Sequence, residues 1–324
     1  MIQDGLVEYL MPLRTVPKNF ARLDTQRLML QDRVRVAALQ RAITAAVQPG
    51  DVVLEIGTGT GLLAILAARA GARRVYAIEM TEMVEVAREM VRRNGLAAQI
   101  QILEGVSFEI ELPERADVLI SETLGHLGID EGIVQTVADA RRRLLKPHAL
   151  QVPISLDILL ALTADRAAQN RELAFWRQPL AGVDCSAAAD AAAGRVYLRR
   201  VMDSELLSHP RIVAHIDLTT AEQPPAVFGA CLAVCRAGEV SGIAAWFECQ
   251  LFDDVRLMSR STSNWYPVLF PVDPPLAVAP MEEVRSCITV REHRGEAAWS
   301  WCVRGVSGER RCGRCDLPDP GQLS

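Results

Sequence analysis

Two glutamates lie nine positions apart on one glycine-containing segment, and their carboxylates could bind a single cation. The segment reads Ser121-Glu122-Thr123-Leu124-Gly125-His126-Leu127-Gly128-Ile129-Asp130-Glu131. If it folds back as a hairpin, Glu122 and Glu131 face one pocket, which is costly unless a cation lies between them. A guanidinium fits best, because its planar set of N–H donors pairs with carboxylates and it stays protonated. The spacing alone equally allows two solvated loop carboxylates.

A glycine-rich turn forms a second constellation, between a first apolar run and a first helical pattern. It reads Glu55-Ile56-Gly57-Thr58-Gly59-Thr60-Gly61. In open α/β sheets this turn binds nucleotides, because glycines let a ligand approach the backbone closely. Glu79 follows 22 positions after Gly57, where a carboxylate can accept hydrogen bonds from ribose hydroxyls.

Two kinds of ligand compete for this turn. A dinucleotide motif requires its third glycine at position 62, which is Leu62 here. Glu55 would also repel a pyrophosphate, whereas it could help to bind the ammonium group of S-adenosyl-L-methionine. The turn therefore favours S-adenosyl-L-methionine as cofactor, and a tight bend without a ligand is the alternative.

The elements that must position these residues follow from apolar periodicity. After an N-terminal helical segment over 1–48, clearest from Asp24 to Ala46, strands and helices alternate over 49–151. The predicted strands cover 52–56, 75–78, 99–103 and 117–120, and the predicted helices cover 62–70, 81–91 and 134–145. This alternation predicts a parallel sheet covered on both faces, with both constellations at the ends of strands.

Residues 152–305 change to short alternating runs interrupted by Pro and Gly, which predict an antiparallel barrel or sandwich. The clearest strands cover 154–162, 211–217, 242–251, 265–270 and 286–291. The alanine-rich segment 187–194 predicts a helix or a projecting arm. Residues 306–324 indicate a poorly packed C-terminal tail.

In combination, these segments resemble the protein arginine methyltransferases, a class I S-adenosylmethionine-dependent family. Glu122 and Glu131 match its double-glutamate loop in spacing and in the opening Ser-Glu, and 52–79 is similar to its cofactor motif. Residues 29–35 are similar to its Met-Leu-Lys-Asp-x-Val-Arg segment. Residues 144–147 and 263–265 fall where the family has a helix end and a Thr-His-Trp loop, so the resemblance covers about 20–305.

The resemblance implies methyl transfer to a guanidino nitrogen of arginine in a protein or peptide, of free arginine or of a small guanidino compound. Glu122 and Glu131 would be catalytic, without a metal. The implied cofactor contacts are Met29, Arg35, Glu55, Gly57, Thr58, Gly59, Gly61, Glu79, Met80, Val106, Ser107 and Glu122. The implied acceptor contacts are Asp32, His126, Asn264 and Trp265.

The implied architecture is a Rossmann-like methyltransferase domain over 49–151 followed by a β-barrel domain over 152–305. A dimerisation arm near 175–194 would grip a second copy in a homodimer. Several residues depart from the family pattern, as expected of a divergent, bacterial-type member: Phe20, Ser107, Thr123, His126 and Asn264. These departures favour an acceptor other than the usual proteins, and they leave open another small-molecule acceptor or a catalytically weak, cofactor-binding partner protein.

Composition limits the other classes of function. The 324 residues carry 35 Lys and Arg against 40 Asp and Glu, a net charge of −5 that does not attract nucleic acid or anionic membrane. No apolar run approaches the length of a membrane helix, and Met1 to Tyr9 lacks the pattern of a secretory signal. We therefore expect a cytoplasmic location, where the eight cysteines are core residues rather than a disulfide framework. Cys312 and Cys315 have metal-like spacing, but no second pair accompanies them.

Overall fold

The computed structural model describes residues 18–165, 172–293, 296–306 and 308–313. Most of the predicted C-terminal tail, including Cys315, and the first part of the N-terminal segment lie outside the described residues. None of the described helices is both long and apolar enough to cross a membrane.

The N-terminal segment contains two helices rather than the single predicted one. A short 3-10 turn, Lys18–Ala21, precedes α1 (Leu23–Gln31), and α2 covers Arg33–Ala46. The break falls at Asp32, whose backbone is not helical and whose carboxylate accepts a hydrogen bond from the Arg35 N–H at 3.0 Å. Aspartate is a favourable N-cap, so its side chain starts a new helix instead of continuing the first.

The first domain has the predicted parallel sheet. Its five strands have the order β3-β2-β1-β4-β5, and all neighbours are parallel. They are β1 (Val52–Ile56), β2 (Arg74–Glu79), β3 (Ile100–Glu104), β4 (Ala116–Ser121) and β5 (Leu145–Val152). The crossover helices are α3 (Leu62–Ala70), α4 (Met83–Arg93) and α5 (Ile133–Arg143). The last predicted helix is thus too long, because Leu145 pairs with Ala116 as the first residue of β5.

Two antiparallel sheets build the second domain, which confirms the predicted class of a Rossmann-like domain followed by a β-barrel. One sheet has the order β7-β12-β10-β6-β8 with β11 paired to β10, and the other has the order β15-β14-β13-β9. The strands of the first are β6 (Ser155–Thr163), β7 (Tyr197–Leu198), β8 (Arg211–Asp217), β10 (Gly238–Phe252), β11 (Val255–Met258) and β12 (Val268–Val278). Those of the second are β9 (Val227–Ala233), β13 (Glu283–His293), β14 (Glu296–Arg304) and β15 (Arg310–Gly313).

Two sequence expectations for this domain are wrong. Trp265 does not begin a strand, because β12 starts at Val268; its buried indole instead packs edge-on against Phe247, with ring centroids 5.2 Å apart. The tail is not poorly packed at residues 310–313, which pair with β14. Gly313 lies so close to Trp301 that a Cβ there would be 2.1 Å from the indole. In the segment predicted as a helix or an arm, Ser186–Ala193 forms α6.

Candidate active site

The glycine turn joins β1 to α3 at the carboxyl end of the parallel sheet. The N–H groups of Gly57 and Thr58 both donate to the Ile78 carbonyl at 3.0 Å, which ties the turn to β2. Gly57, Gly59 and Gly61 have φ values of +80°, +54° and +84°. Residues with a side chain rarely adopt these values, so the turn requires glycine.

Neighbouring elements approach this turn closely on two sides. A Cβ at Gly57 would lie 2.9 Å from Thr123 Cγ2 of the double-glutamate loop. A Cβ at Gly59 would lie 2.8 Å from Oε1 of the buried Gln26 on α1. Gln26 also donates to the Phe20 carbonyl at 3.0 Å. The N-terminal helices and the double-glutamate loop therefore meet at the glycine turn, although we did not predict Gln26 as a site residue.

Glu79 lies at the end of β2 and braces the same turn. Its Oε2 accepts from the Gly59 N–H at 2.7 Å, and its Oε1 accepts from the N–H and hydroxyl of Thr81 at 2.8 and 2.7 Å. A carboxylate has about four acceptor positions, so Glu79 can still accept from a ribose hydroxyl. Met80, the next residue, is 41% exposed and offers an apolar surface beside it.

Two further predicted cofactor residues, Val106 and Ser107, follow β3. They are placed next to Glu79 because the Gly105 N–H donates to the Glu79 carbonyl at 2.9 Å. Ser107 is buried at the start of a 3-10 turn, and its carbonyl accepts from Arg143 Nη2 at 2.8 Å. The segment is therefore anchored by its backbone, which leaves the serine side chain for a ligand.

Glu55 is only 1% exposed, at the end of β1. Its Oε2 accepts from the Thr58 hydroxyl at 2.6 Å. Burial raises the pKa of Glu55 to about 7, the nearby Glu79 charge adds to the rise, and the Thr58 hydrogen bond opposes it. At neutral pH this carboxyl is therefore close to half ionised.

We expect Glu55→Gln to weaken the pH dependence of stability in the cofactor-free protein. A buried carboxyl whose pKa rises from 4.5 to about 7 binds more protons when folded, so the free energy of unfolding falls as pH rises through that window. Glu55 contributes about 3 kcal/mol to this decrease in the wild type, and the variant lacks that contribution while it keeps those of Asp130 and Glu131. Thermal unfolding at pH 5 and pH 8 measures it. Glu111→Gln, an exposed carboxylate, is the control, and equal pH slopes in all three proteins would refute the assignment.

Arg35 connects α2 to the double-glutamate loop. Its Nη2 forms an ion pair with Glu122, with both side chains 8% exposed, and its Nη1 donates to the Met29 carbonyl at 3.2 Å. Burial lowers the pKa of Arg35 to about 10, whereas the charges of Asp32 and Glu131 raise it. The guanidinium therefore stays protonated at neutral pH. Arg35 is thus paired with Glu122, and the charge of Glu131 contributes to its electrostatic surroundings.

Asp32 ties the N-terminal helices to the barrel. Besides capping α2, its Oδ2 accepts from the backbone N–H groups of Ser263 and Asn264 at 2.7 and 2.9 Å. Both donors are backbone groups, so this connection does not use the Asn264 side-chain amide. Backbone N–H groups do not depend on the side chain at 264, so the histidine-to-asparagine departure does not remove this connection.

The double-glutamate loop folds back through Asp130. Its two oxygens accept from the N–H groups of His126 and Leu127 at 3.0 and 2.8 Å. A Cβ at Gly125 would lie 2.2 Å from the Asp130 carboxyl carbon, so only glycine fits there. This contact shapes the hairpin that places Glu131 beside Arg35. Asp130 was not predicted as a site residue, because the sequence does not show which backbone N–H groups a loop carboxylate will accept from.

Burial shifts the two adjacent carboxyls of this loop in the same direction. It raises the pKa of Asp130 to about 6 and that of Glu131 to about 8. The Asp130 charge raises the pKa of Glu131 further, and the Arg35 charge lowers it. A carboxyl that is partly protonated near neutral pH binds a second cation favourably, because the charge of the cation stabilises the ionised form of the carboxyl.

Two of the predicted acceptor contacts fasten the loop to the barrel. Trp265 Nε1 donates to the Leu124 carbonyl at 2.8 Å, and the Arg35 guanidinium carbon lies 5.7 Å from the indole centroid. The Nδ1 atom of His126 lies 2.9 Å from the Tyr266 backbone nitrogen and 3.2 Å from the Tyr266 carbonyl oxygen. Burial lowers the pKa of His126 to about 4, so its ring is neutral at physiological pH.

The site and fold define a class I methyltransferase domain joined to a β-barrel, and comparisons with known proteins agree. The family model for ribosomal protein L11 methyltransferase (PrmA) matches residues 36–151. A probable histone-arginine methyltransferase 1.4 of Arabidopsis thaliana is 32% identical over 302 residues, covering 86% of this chain and 56% of that protein.

Two solved structures share the whole fold. The PRMT1 enzyme-prozyme heterotetrameric complex of Trypanosoma brucei with AdoHcy has a TM-score of 0.81 at 21% identity, covering 89% of this chain and 94% of that one. Protein arginine methyltransferase 10 of Arabidopsis thaliana, in an open conformation, has a TM-score of 0.78 at 24% identity, covering 91% and 98%. By sequence and by fold, the chain is similar to the protein arginine methyltransferases over most of its length. It spans about half the length of the first curated relatives, 56% and 48%.

Proposed function

We propose that the protein transfers a methyl group from S-adenosyl-L-methionine to a guanidino nitrogen of arginine. One observation carries the proposal: Glu122 forms a buried ion pair with the Arg35 guanidinium at a loop that also carries the buried carboxyl of Glu131, beside a glycine turn built for a nucleoside ligand. A carboxylate that already pairs with one guanidinium, with a second carboxyl on the same loop, has the chemistry to bind a guanidinium from an acceptor.

The residues around the turn fit the cofactor. Gly57 leaves its backbone exposed for close approach, and Glu79 has acceptor positions free for ribose hydroxyls. The protonated Arg35 would pair with the aminoacyl carboxylate, which is the role that its position in the sequence motif implies. When bound, S-adenosylmethionine supplies a methyl group on a positively charged sulfur.

In this site Glu122 and Glu131 would hold the acceptor cation and orient one of its nitrogens toward the methyl group. Their negative charges concentrate the positive charge on the nitrogens they bind, which leaves the reacting nitrogen more nucleophilic. The guanidinium must lose one proton once its nitrogen is methylated. Glu131 is suited to accept that proton, because its surroundings already favour the protonated form.

For the acceptor, we propose an arginine within a polypeptide. A cavity of about 440 Å³ on the barrel side of Trp265 is lined by Trp246, Met258, Glu248 and two arginines, Arg200 and Arg260. Residues that flank a target arginine could occupy this cavity, and free arginine has no such residues. This arrangement favours a peptide or protein over the small guanidino compounds that the departures in sequence left open.

The test is mass spectrometry of the purified protein with S-adenosylmethionine and four acceptors in parallel: an arginine-rich peptide, a histone-like protein, free arginine and a small guanidine. We expect a gain of methyl mass on the peptide or protein. Methylation of free arginine alone would overturn the polypeptide acceptor and keep the reaction. Cofactor binding without transfer to any of the four would overturn the reaction and support a partner protein.

We further propose a homodimer, with the segment 175–194 gripping a second copy. Three of its apolar side chains are exposed, Phe175, Leu180 and Val183, as expected of a contact surface. Light scattering at micromolar concentration should give twice the chain mass, and a monomer would contradict the proposal. Nucleic acid and membrane are not among the proposed partners, and the cytoplasmic location stays a prediction from the sequence.

A further inference from the structure

Three cysteines lie in one row across the second barrel sheet. Cys287 on β13 is the register partner of Cys302 on β14, and Cys302 is the partner of Cys312 on β15. Side chains directly opposite each other on antiparallel strands share a face of the sheet. The sequence predicts all eight cysteines as core residues, but this placement brings two thiols into contact: Cys302 Sγ and Cys312 Sγ are 2.8 Å apart.

The two thiols differ in access. Cys302 is 7% exposed, whereas Cys312 is exposed on β15, at the edge of its sheet. An oxidant in solution therefore reaches Cys312 first. The buried Cys302 is then the sulfur in position to complete a bond, because partners in antiparallel register have the Cα separation that a disulfide requires.

A cation adjoins both sulfurs. Arg310 Nε lies 3.1 Å from Cys302 Sγ and 3.1 Å from Cys312 Sγ. A nearby guanidinium stabilises the thiolate, which is the reactive form of cysteine. The arrangement of an exposed thiol, a cation and a resolving thiol is the one expected of a redox-active pair rather than of three inert core residues.

We propose that Cys302 and Cys312 form a reversible disulfide and that a peroxide is the oxidant. The Cys312 thiol loses its proton, and its thiolate attacks one peroxide oxygen. The O–O bond breaks, a sulfenic acid forms, and the departing hydroxide takes up the released proton to become one water. The Cys302 sulfur then attacks the sulfenic sulfur, an S–S bond forms, and a second water leaves. Two thiols thus lose two electrons and two protons, and hydrogen peroxide is reduced to two waters. A dithiol reductant reverses the step by thiol–disulfide exchange.

The bond would fasten β15 to β14 covalently. The same strand places Gly313 against the Trp301 indole, whose Nε1 donates to the Pro271 carbonyl at 2.6 Å. Oxidation would therefore hold the C-terminal strand onto the barrel, and reduction would release that restraint. Nothing in this step involves Glu122, Glu131 or a cofactor, so the inference stands whether or not the protein is a methyltransferase.

The experiment treats the reduced full chain with hydrogen peroxide, alkylates the remaining thiols and maps disulfides by mass spectrometry. We expect a loss of two hydrogens and a crosslinked peptide containing Cys302 and Cys312, both reversed by dithiothreitol. Cys312→Ser should abolish the crosslink, whereas Cys235→Ser, at an exposed cysteine elsewhere, should not. A crosslink of Cys287 with Cys302, or of Cys312 with Cys315, would overturn the proposal, as would no crosslink at all.

Substitutions of Arg310 test the role of the cation separately. Arg310→Gln should slow crosslinking at pH 7 by roughly fivefold or more, since fewer thiolates form without the guanidinium. Arg310→Lys, which keeps the charge, should restore much of the rate. Arg285→Gln removes an exposed arginine from the same sheet and should leave the rate unchanged. Equal rates in the Arg310→Gln and Arg285→Gln variants would overturn the activating role of Arg310.

Discussion

Glu122→Gln is expected to lower kcat for methyl transfer by roughly 10²- to 10³-fold, the largest effect of any conservative change in this chain. The substitution keeps the size of the side chain but removes the negative charge that would bind the acceptor guanidinium. It also turns an N–H donor toward a cation that has only donors. Glu131 alone would then have to hold and orient the acceptor.

The same substitution leaves Arg35 without its ion-pair partner. Arg35 retains its hydrogen bond to the Met29 carbonyl and the attraction of Asp32 and Glu131. We therefore expect the variant to fold, with a lowered melting temperature and weaker cofactor binding. Titration calorimetry with the cofactor and a thermal scan separate these effects from the loss of turnover.

A matched variant removes a glutamate elsewhere in the same domain. Glu85→Gln breaks an exposed ion pair with Arg88 on α4, where such pairs contribute little, and we expect wild-type turnover. If Glu122→Gln keeps more than about a tenth of wild-type kcat, its carboxylate does not make the transition-state contact proposed here.

The second large effect is on pH dependence. Burial raises the pKa of Glu131 to about 8 in the protein without ligands, and an acceptor guanidinium requires this carboxyl to be ionised. Below its pKa each unit of pH removes about nine-tenths of the ionised form. We expect kcat/KM for the acceptor to rise nearly tenfold per unit through the neutral range and to level off at or below pH 8, because the bound sulfonium charge lowers this pKa.

Asp130→Asn tests the cause of this rise of kcat/KM with pH, the acid limb of the profile. The Asp130 charge raises the pKa of Glu131, so its removal should move the limb to lower pH by up to about one unit. The asparagine oxygen can still accept one of the two loop N–H groups. Asp254→Asn, at an exposed turn, is the control and should leave the limb in place. A limb that stays put in Asp130→Asn, or a flat profile in the wild type, would contradict the assignment to Glu131.

Much of the first domain could be predicted from the sequence because its signals are local. Strand β1 and helix α3 have the predicted bounds, and β2, β3 and β4 differ from prediction by about a residue at each end. A buried parallel strand is a short apolar run wherever it lies, and a glycine turn at its end requires the same φ values in any such fold. The resemblance to a family rested on these same local motifs.

Residues whose roles depend on a partner far along the chain were harder to predict. Asp32 breaks the N-terminal helix and also binds backbone donors more than 200 positions away, at Ser263 and Asn264. Trp265 is of a residue type that is common in strands, but its hydrogen bond to the Leu124 carbonyl holds it in a loop. Strand β15 carries little apolar signal of its own and exists because β14 offers it an edge.

The sequence by itself determined the class of fold, the glycine turn and the identity of the two carboxylates, because backbone preferences and apolar periodicity act over a few residues. Only the tertiary structure decided what surrounds those carboxylates. Arg35 pairs with Glu122, and Asp130 shapes the hairpin and raises the pKa of Glu131, through contacts between segments distant in sequence. Burial and Coulomb interactions depend on the distances between such segments, and spacing along the chain does not encode those distances.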